Sequence, residues 1–277
     1  MHELTGIAFS HYVEKARWAL DRFAVPYRDR RVLPFFHLLA VYRVHHGKLG
    51  HADAASSRFS TPVLRTDDGR ILCDSAEIVR YASERFAPPG HDLYAAPEAA
   101  ELERHFHDHL GPDTRRVAYA TLFDQPELMR DIARRNVDPL QASLFSAVYP
   151  LAKAGLKQAL KIWPSQVVAS IDQTRREFDA VSIRLRDGRP FLLGDRFSAA
   201  DLAFASLGAP AVLPPQYSAW LPPLDAFTEA VRARTLTFRD TPAGAFVMRL
   251  FRDERRRVVR ESAVARSTEG FSQHRAS

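Results

Sequence analysis

Thr61-Pro62-Val63-Leu64-Arg65-Thr66-Asp67-Asp68-Gly69-Arg70-Ile71-Leu72-Cys73-Asp74-Ser75 is the stretch on which the fold turns. An apolar strand led by proline meets a tight turn, a second strand and a helix start. Asp68-Gly69 tolerates the positive φ of a hairpin loop. Pro62 has no N–H to give to a ladder and belongs at the strand's first residue. An X-Pro bond adopts the cis form at modest cost, and a cis bond here would leave the Val63 backbone free to pair with an extended, peptide-like ligand. Asp74 or Ser75 caps the following helix, whose apolar positions Ile78, Val79, Ala82 and Phe86 share a face.

Working outward, residues 4–9 form a short apolar strand, Ser10 follows it, and a helix is expected from about 12 to 23. Ala16, Ala19, Leu20 and Phe23 make its buried stripe, with Trp18 at the edge and Glu14, Lys15, Arg17 and Asp21 off it. Val25-Pro26-Tyr27 breaks that helix and starts a second strand running to about Val32. Strand, helix, strand predicts a parallel pair with a right-handed crossover. A second helix is expected over 33–44, opened by Pro34, and 47–60 reads as a loop. The resulting order, βαβαββα, is that of a thioredoxin-like domain over 1–87.

Ala87-Pro88-Pro89-Gly90 opens a linker over 88–95. Beyond it the pattern is helical, an all-α domain over 96–260. Helices are expected at about 96–110, 112–123, 126–135, 138–161, 165–187, 198–212, 223–234 and 242–260, with Gly111-Pro112 and Trp163-Pro164 as breaks. The polar end, 261–277, is expected to be disordered.

The chain has 277 residues, 46% of them apolar and 26% charged, and a formal net charge of +6. This is the composition of a soluble globular protein with room for two domains. One cysteine, Cys73, excludes an intrachain disulfide and fits a reducing, cytoplasmic compartment. No signal-peptide pattern is visible, and the run 33–44 is too short and polar to span a membrane. Arg252, Arg255, Arg256, Arg257 and Arg260 cluster late. They read as a solvated last helix turn rather than a nucleic-acid surface, since no aromatic-interleaved groove accompanies them. His105 and His109 share a helix face, but nothing completes a metal site of familiar spacing, and none is expected.

Ser10 sits at a helix start among unpaired backbone N–H groups, a place that favours an anion. No Ser-His-Asp arrangement surrounds it, so it reads as a hydrogen-bond donor to a ligand thiolate rather than a nucleophile. Asp74-Ser75 repeats the logic at a second helix: hydroxyl and N–H groups for a carboxylate, the acid for an adjacent ammonium.

The strand leading into Ser-His-Tyr-Val-Glu-Lys-Ala-Arg at 10–17, Thr61-Pro62-Val63, and Asp74-Ser75-Ala76-Glu77-Ile78 together resemble the N-terminal domain of glutathione transferases. Gly194-Asp195-Arg196-Phe197-Ser198-Ala199-Ala200-Asp201 resembles the buried capping box of that superfamily's helical domain. The resemblance implies a thioredoxin-like N-terminal domain, an all-α helical-bundle C-terminal domain and a serine-type site. Ser10 would activate the thiol of glutathione, with Tyr12 an alternative donor. Pro62 would precede the backbone contact of Val63 to the cysteinyl part, while Asp74 and Ser75 would bind the γ-glutamyl end. His37 is a candidate for the glycine end, as are Arg43 and Lys48. Arg115 and Tyr119 fall in the region that would face the thiol and receive an electrophile, with Arg115 suited to an acidic one. The implied reaction is conjugation of glutathione, the co-substrate, to a small electrophilic molecule, in a cytoplasmic homodimer serving detoxification. A non-catalytic binding or scaffold protein of the same fold is the rival reading. Serine at position 10 cannot form a mixed disulfide, which disfavours disulfide exchange by that route.

Overall fold

The computed structural model describes residues 1–45 and 59–259. Most of the expected 47–60 loop, Lys48, Arg260 and the expected tail lie outside the described residues. Four strands form one sheet in the order β2-β1-β3-β4. β1 (His2–Ile7) and β2 (Tyr27–Val32) run parallel, from His2 opposite Tyr27 to Ile7 opposite Val32. The helix α1 (His11–Arg22) connects them. β3 (Val63–Arg65) is antiparallel to β1, and β4 (Ile71–Leu72) is antiparallel to β3. The hairpin between them closes through Thr66 N–H to the Arg70 carbonyl at 2.9 Å, with Gly69 at φ +88° supplying the backbone that a side chain resists. Thr61–Pro62 is cis. α2 (Phe36–Val44) and α3 (Ser75–Phe86) complete the βαβαββα pattern.

The helical part follows as α4 (Glu98–His105), α5 (Gly111–Phe123), α6 (Pro126–Asn136), α7 (Pro139–Ala159), α8 (Pro164–Arg184), α9 (Ala199–Val212), α10 (Glu229–Arg239) and α11 (Pro242–Asp253). At its centre α9, rich in alanine, is buried on nearly every side. Its start holds the expected capping box. The Asp201 carboxylate accepts from Ser198 N–H at 2.8 Å and Ser198 Oγ at 2.6 Å, and reaches Leu192 N–H at 2.7 Å.

The structure corrects several sequence expectations. α2 starts at Phe36 rather than Pro34, because Phe35 turns the chain with φ +78°. Gly111-Pro112 does not break the helix. A π turn at 106–110 joins α4 to α5, and Pro112, which lacks an N–H, sits in α5's first turn where none is needed. The 223–234 helix is a single 3₁₀ turn at Leu224–Ala226 followed by α10, and the last helix ends at Asp253 instead of 260. Within the 88–95 segment, Leu93 is buried, takes a hydrogen bond from Ala199 N–H at 2.9 Å and donates to Ser83 Oγ at 2.9 Å.

The largest correction concerns α1. Trp18 is not at an edge but fully buried, packed between Phe197 and Phe251. Three of the four polar residues off the apolar stripe are buried too, and Asp21 is partly covered. Glu14 and Lys15 are wholly covered and Arg17 nearly so, because the helical part packs over the face that an isolated α/β unit would show to water. Each meets a counter-charge, as burial of a charge requires. Lys15 Nζ lies 2.8 Å from Glu103 Oε1, Arg17 forks onto Asp29, and Glu14 receives Arg255 at 2.6 Å. Arg255 also reaches Asp21, and Arg22 pairs with Glu254 at 2.9 Å. The supposed solvated basic turn therefore contains a buried inter-part anchor.

Candidate functional site

A cavity of about 460 Å³ opens where the C-terminal end of β1 and the start of α1 face α5, α7 and α10. Its wall is mostly apolar, with Phe9, Leu38, Phe59, Leu122, Leu156 and Phe227 among its lining. Such an enclosure suits a small molecule.

Ser10 stands at the rim of this cavity, at the N-cap of α1 with extended backbone (φ −70°, ψ 131°). Its carbonyl accepts Glu14 N–H at 2.9 Å, so the helix begins there. Its side chain makes no capping bond, and among the described residues the hydroxyl has no partner. A free hydroxyl at the positive end of a helix is suited to donate to an anion.

Tyr12 is placed differently. Although it borders the cavity, its hydroxyl donates to the His107 carbonyl at 3.0 Å and its ring lies against His11 and His107. Gly111 presses so close to the Tyr12 hydroxyl that even a methyl group there would overlap it. Burial pushes the Tyr12 phenol far above its ordinary range. Tyr12 thus pins α1 to the π turn, and its proton is committed. His11 beside it is fully buried, with Nε2 2.9 Å from the Gly111 carbonyl, and burial pulls its pKa down to about 3. It is a neutral imidazole that donates to that carbonyl.

Pro62, Val63, Asp74 and Ser75 lie outside the cavity lining, although Thr61 borders it. Val63 begins β3 opposite Thr5, its side chain packed with Val41, Val44 and Phe59. Asp74 is the N-cap of α3, accepting Ala76 N–H at 2.6 Å, and its other oxygen lies 3.5 Å from His107 Nε2. Ser75 is wholly buried, and its Oγ has no hydrogen-bond partner among the described residues. His37 does line the cavity; its Nδ1 accepts Phe35 N–H at 3.1 Å, and burial lowers its pKa to about 4. The imidazole is neutral, with Nε2 left to donate.

On the helical wall, Arg115 lies with its guanidinium 5.7 Å from the centre of the Tyr12 ring. Its Nε is buried without a partner among the described residues. Tyr119 is buried edge-on against Phe9, and burial raises its phenol well above the usual range. Arg116, by contrast, is spent on Asp113, Ser170 and the Leu160 carbonyl. The structure therefore brings together Ser10, Tyr12, His37, Arg115 and Tyr119 and leaves Pro62, Val63, Asp74 and Ser75 to one side. Sequence reasoning missed Arg234 on α10, which also lines the cavity. The signal was present: Arg234 shares its helix face with Val231, Thr235 and Phe238, the apolar stripe.

Cys73 is partly buried, with Sγ 3.9 Å from His45 Nε2. Burial, then Glu77 and Asp74, raise its pKa, so it is no activated thiol. Among the described residues no group of three or more His, Cys, Asp or Glu is placed to hold a metal, and no helix is long and apolar enough to cross a membrane.

Residues 4–90 match the family model of the glutathione S-transferase N-terminal domain. No curated protein matches the chain. Among solved structures, a glutathione S-transferase of Ceriporiopsis subvermispora in complex with glutathione is similar at 19% identity and TM-score 0.58, covering 94% of this chain and 99% of that one. A glutathione transferase from Phanerochaete chrysosporium is similar at 16% identity and TM-score 0.60, covering 94% and 98%. At these identities the two neighbours establish the fold of the whole chain, and the family model covers its first part. Residues 4–90 thus match the glutathione S-transferase N-terminal domain, and the chain as a whole shares the fold of the two solved glutathione transferases.

Proposed function

We propose that the chain is a serine-type glutathione transferase that joins the thiolate of glutathione to a small electrophile. The observation carrying this reading is the Ser10 hydroxyl, without a partner among the described residues, at the amino end of α1 and bordering an apolar cavity. Ser10 O–H donates to the glutathione sulfur, and the helix end adds its positive field. A free thiol ionises near pH ~8.5; lowering that by about two units corresponds to roughly 2.7 kcal/mol. A charge-assisted hydrogen bond and a helix N-terminus together supply that order of energy. The sulfur lone pair then forms the C–S bond to an electrophilic carbon in the cavity. The displaced electron pair departs with a leaving group, or passes into a conjugated acceptor that takes a proton from water. In this reading the Val63 backbone beside Pro62 aligns the cysteinyl part. Asp74 and Ser75 hold the γ-glutamyl end, and neutral His37 donates to the glycine carboxylate. A cytoplasmic homodimer belongs to the same proposal. The glutathione bound in the Ceriporiopsis neighbour makes this thiol the one to test.

One observation favours the rival, a non-catalytic binding protein of this fold. Asp74 is already engaged by Ala76 and His107, and Ser75 Oγ is covered. Calorimetric titration with glutathione decides between them. The transferase reading expects saturable binding at millimolar ligand or below; absence of heat at millimolar concentration contradicts it and leaves the binding protein.

A further inference from the structure

The cavity has a charge pattern that the conjugation chemistry alone does not require. Among its described lining there is no aspartate or glutamate. Its two histidines, His11 and His37, are held neutral by burial, with pKa values of about 3 and about 4. The charged groups that remain are two arginines, Arg115 and Arg234. Arg115 stands at the Ser10 and Tyr12 end, its Nε buried and without a partner among the described residues. Arg234 reaches α5 at Thr121, donating to Oγ1 at 2.9 Å, and this is its one hydrogen bond among the described residues. From Arg115 to Thr121 is six residues, about 9 Å along a helix axis. The hydroxyl that accepts from Arg234 thus stands nearly two turns along α5 from Arg115.

Arg234 is the informative one. It is half-buried among apolar residues; burial lowers its pKa, and among the described residues no carboxylate pairs with it. Two other arginines of the helical part spend their donors: Arg116 on Asp113, Ser170 and a carbonyl, and Arg239 on the Val212 and Leu213 carbonyls, whereas Arg115 shares the shortage of partners at the Ser10 end. A guanidinium has five N–H donors in a fork that fits a carboxylate, and desolvating it without a counter-ion is costly. A ligand anion would offset that cost in a cavity whose other walls favour an apolar body.

We propose that the cavity selects an amphipathic acid, an apolar body whose carboxylate docks on Arg234 while its other end points toward Ser10. Calling that ligand the electrophile rests on the transferase reading; the binding preference itself does not. The test is the affinity of the full chain for 1-naphthylacetic acid and for its primary amide, measured by calorimetry without glutathione and again with it. The acid should bind about tenfold more tightly than the amide, the order expected of one charge-assisted pair. Arg234→Gln should bring the acid down to the amide while leaving amide binding in place. Arg232→Gln, on the exposed side of α10, should keep the preference. Equal binding of acid and amide, no binding of either, or a preference that survives Arg234→Gln overturns the proposal. The wild-type comparison decides alone if the variant does not fold. A preference for the acid in a chain that ignores glutathione would sink the transferase reading and keep this one.

Discussion

At the residue scale, two neighbours at the start of α1 show how position sets chemistry. Ser10 and Tyr12 both border the cavity, yet the Ser10 hydroxyl has no partner among the described residues while Tyr12 spends its proton on the His107 carbonyl. Between them His11 is buried as a neutral imidazole with a pKa of about 3. In an unfolded chain a histidine titrates near pH 6.5, so below that pH the unfolded state binds the proton that the native state refuses. The contribution of His11 to stability is therefore fully present above pH 6.5 and is lost progressively as pH falls toward about 3. The whole loss is on the order of 4–5 kcal/mol. His37 acts in the same direction down to about 4, whereas Asp201, raised to about 6 by burial, acts oppositely between pH 6 and its unfolded value. His11→Gln retains a donor for Gly111 but does not titrate. Its urea midpoint should fall less between pH 7 and pH 4 than that of the wild type; parallel falls would contradict the assignment.

At the element scale, α1 is the helix whose surroundings a single sequence hides. Its apolar stripe predicts one buried face, and that face is buried. The polar remainder lies off that stripe, and a period of 3.6 residues cannot reveal the second layer of protein that covers most of it. Glu14 is wholly covered and depends on Arg255 and Ser218. Removing one partner of such a pair leaves a buried charge uncompensated, at a cost of about 3–5 kcal/mol. Arg255→Leu should destabilise by that order in chemical denaturation, and Glu14→Gln in the same chain should recover part of the loss. A change below about 0.5 kcal/mol, as for an exposed arginine, would contradict the anchoring role. What the sequence carried in plain view were features closed within a few residues. The Asp68-Gly69 turn, the Asp74 cap and the Ser198–Asp201 box each satisfy their own hydrogen bonds locally. The π turn at 106–110, the late start of α2 and the inward face of Arg234 depend on contacts across the chain, and no local pattern announces them.

At the scale of the whole molecule, the sheet delivers Ser10 to the rim of a cavity whose other walls belong to the helical part. A network of buried ion pairs and Trp18 joins the two parts. The residues proposed for the γ-glutamyl end, Asp74 and Ser75, stand beside the cavity rather than in it. The fold is thus that of a glutathione transferase throughout, and the proposed chemistry narrows to one hydroxyl at one helix end. The direct test is the ultraviolet absorbance of the glutathione thiolate bound to the full chain, followed against pH. The bound thiol should ionise about two units below the free value near ~8.5. Ser10→Ala should move it back toward that value, and Tyr12→Phe should leave it where it is. A bound thiol that titrates like free glutathione, or a lowered value that Ser10→Ala does not change, would contradict the central claim.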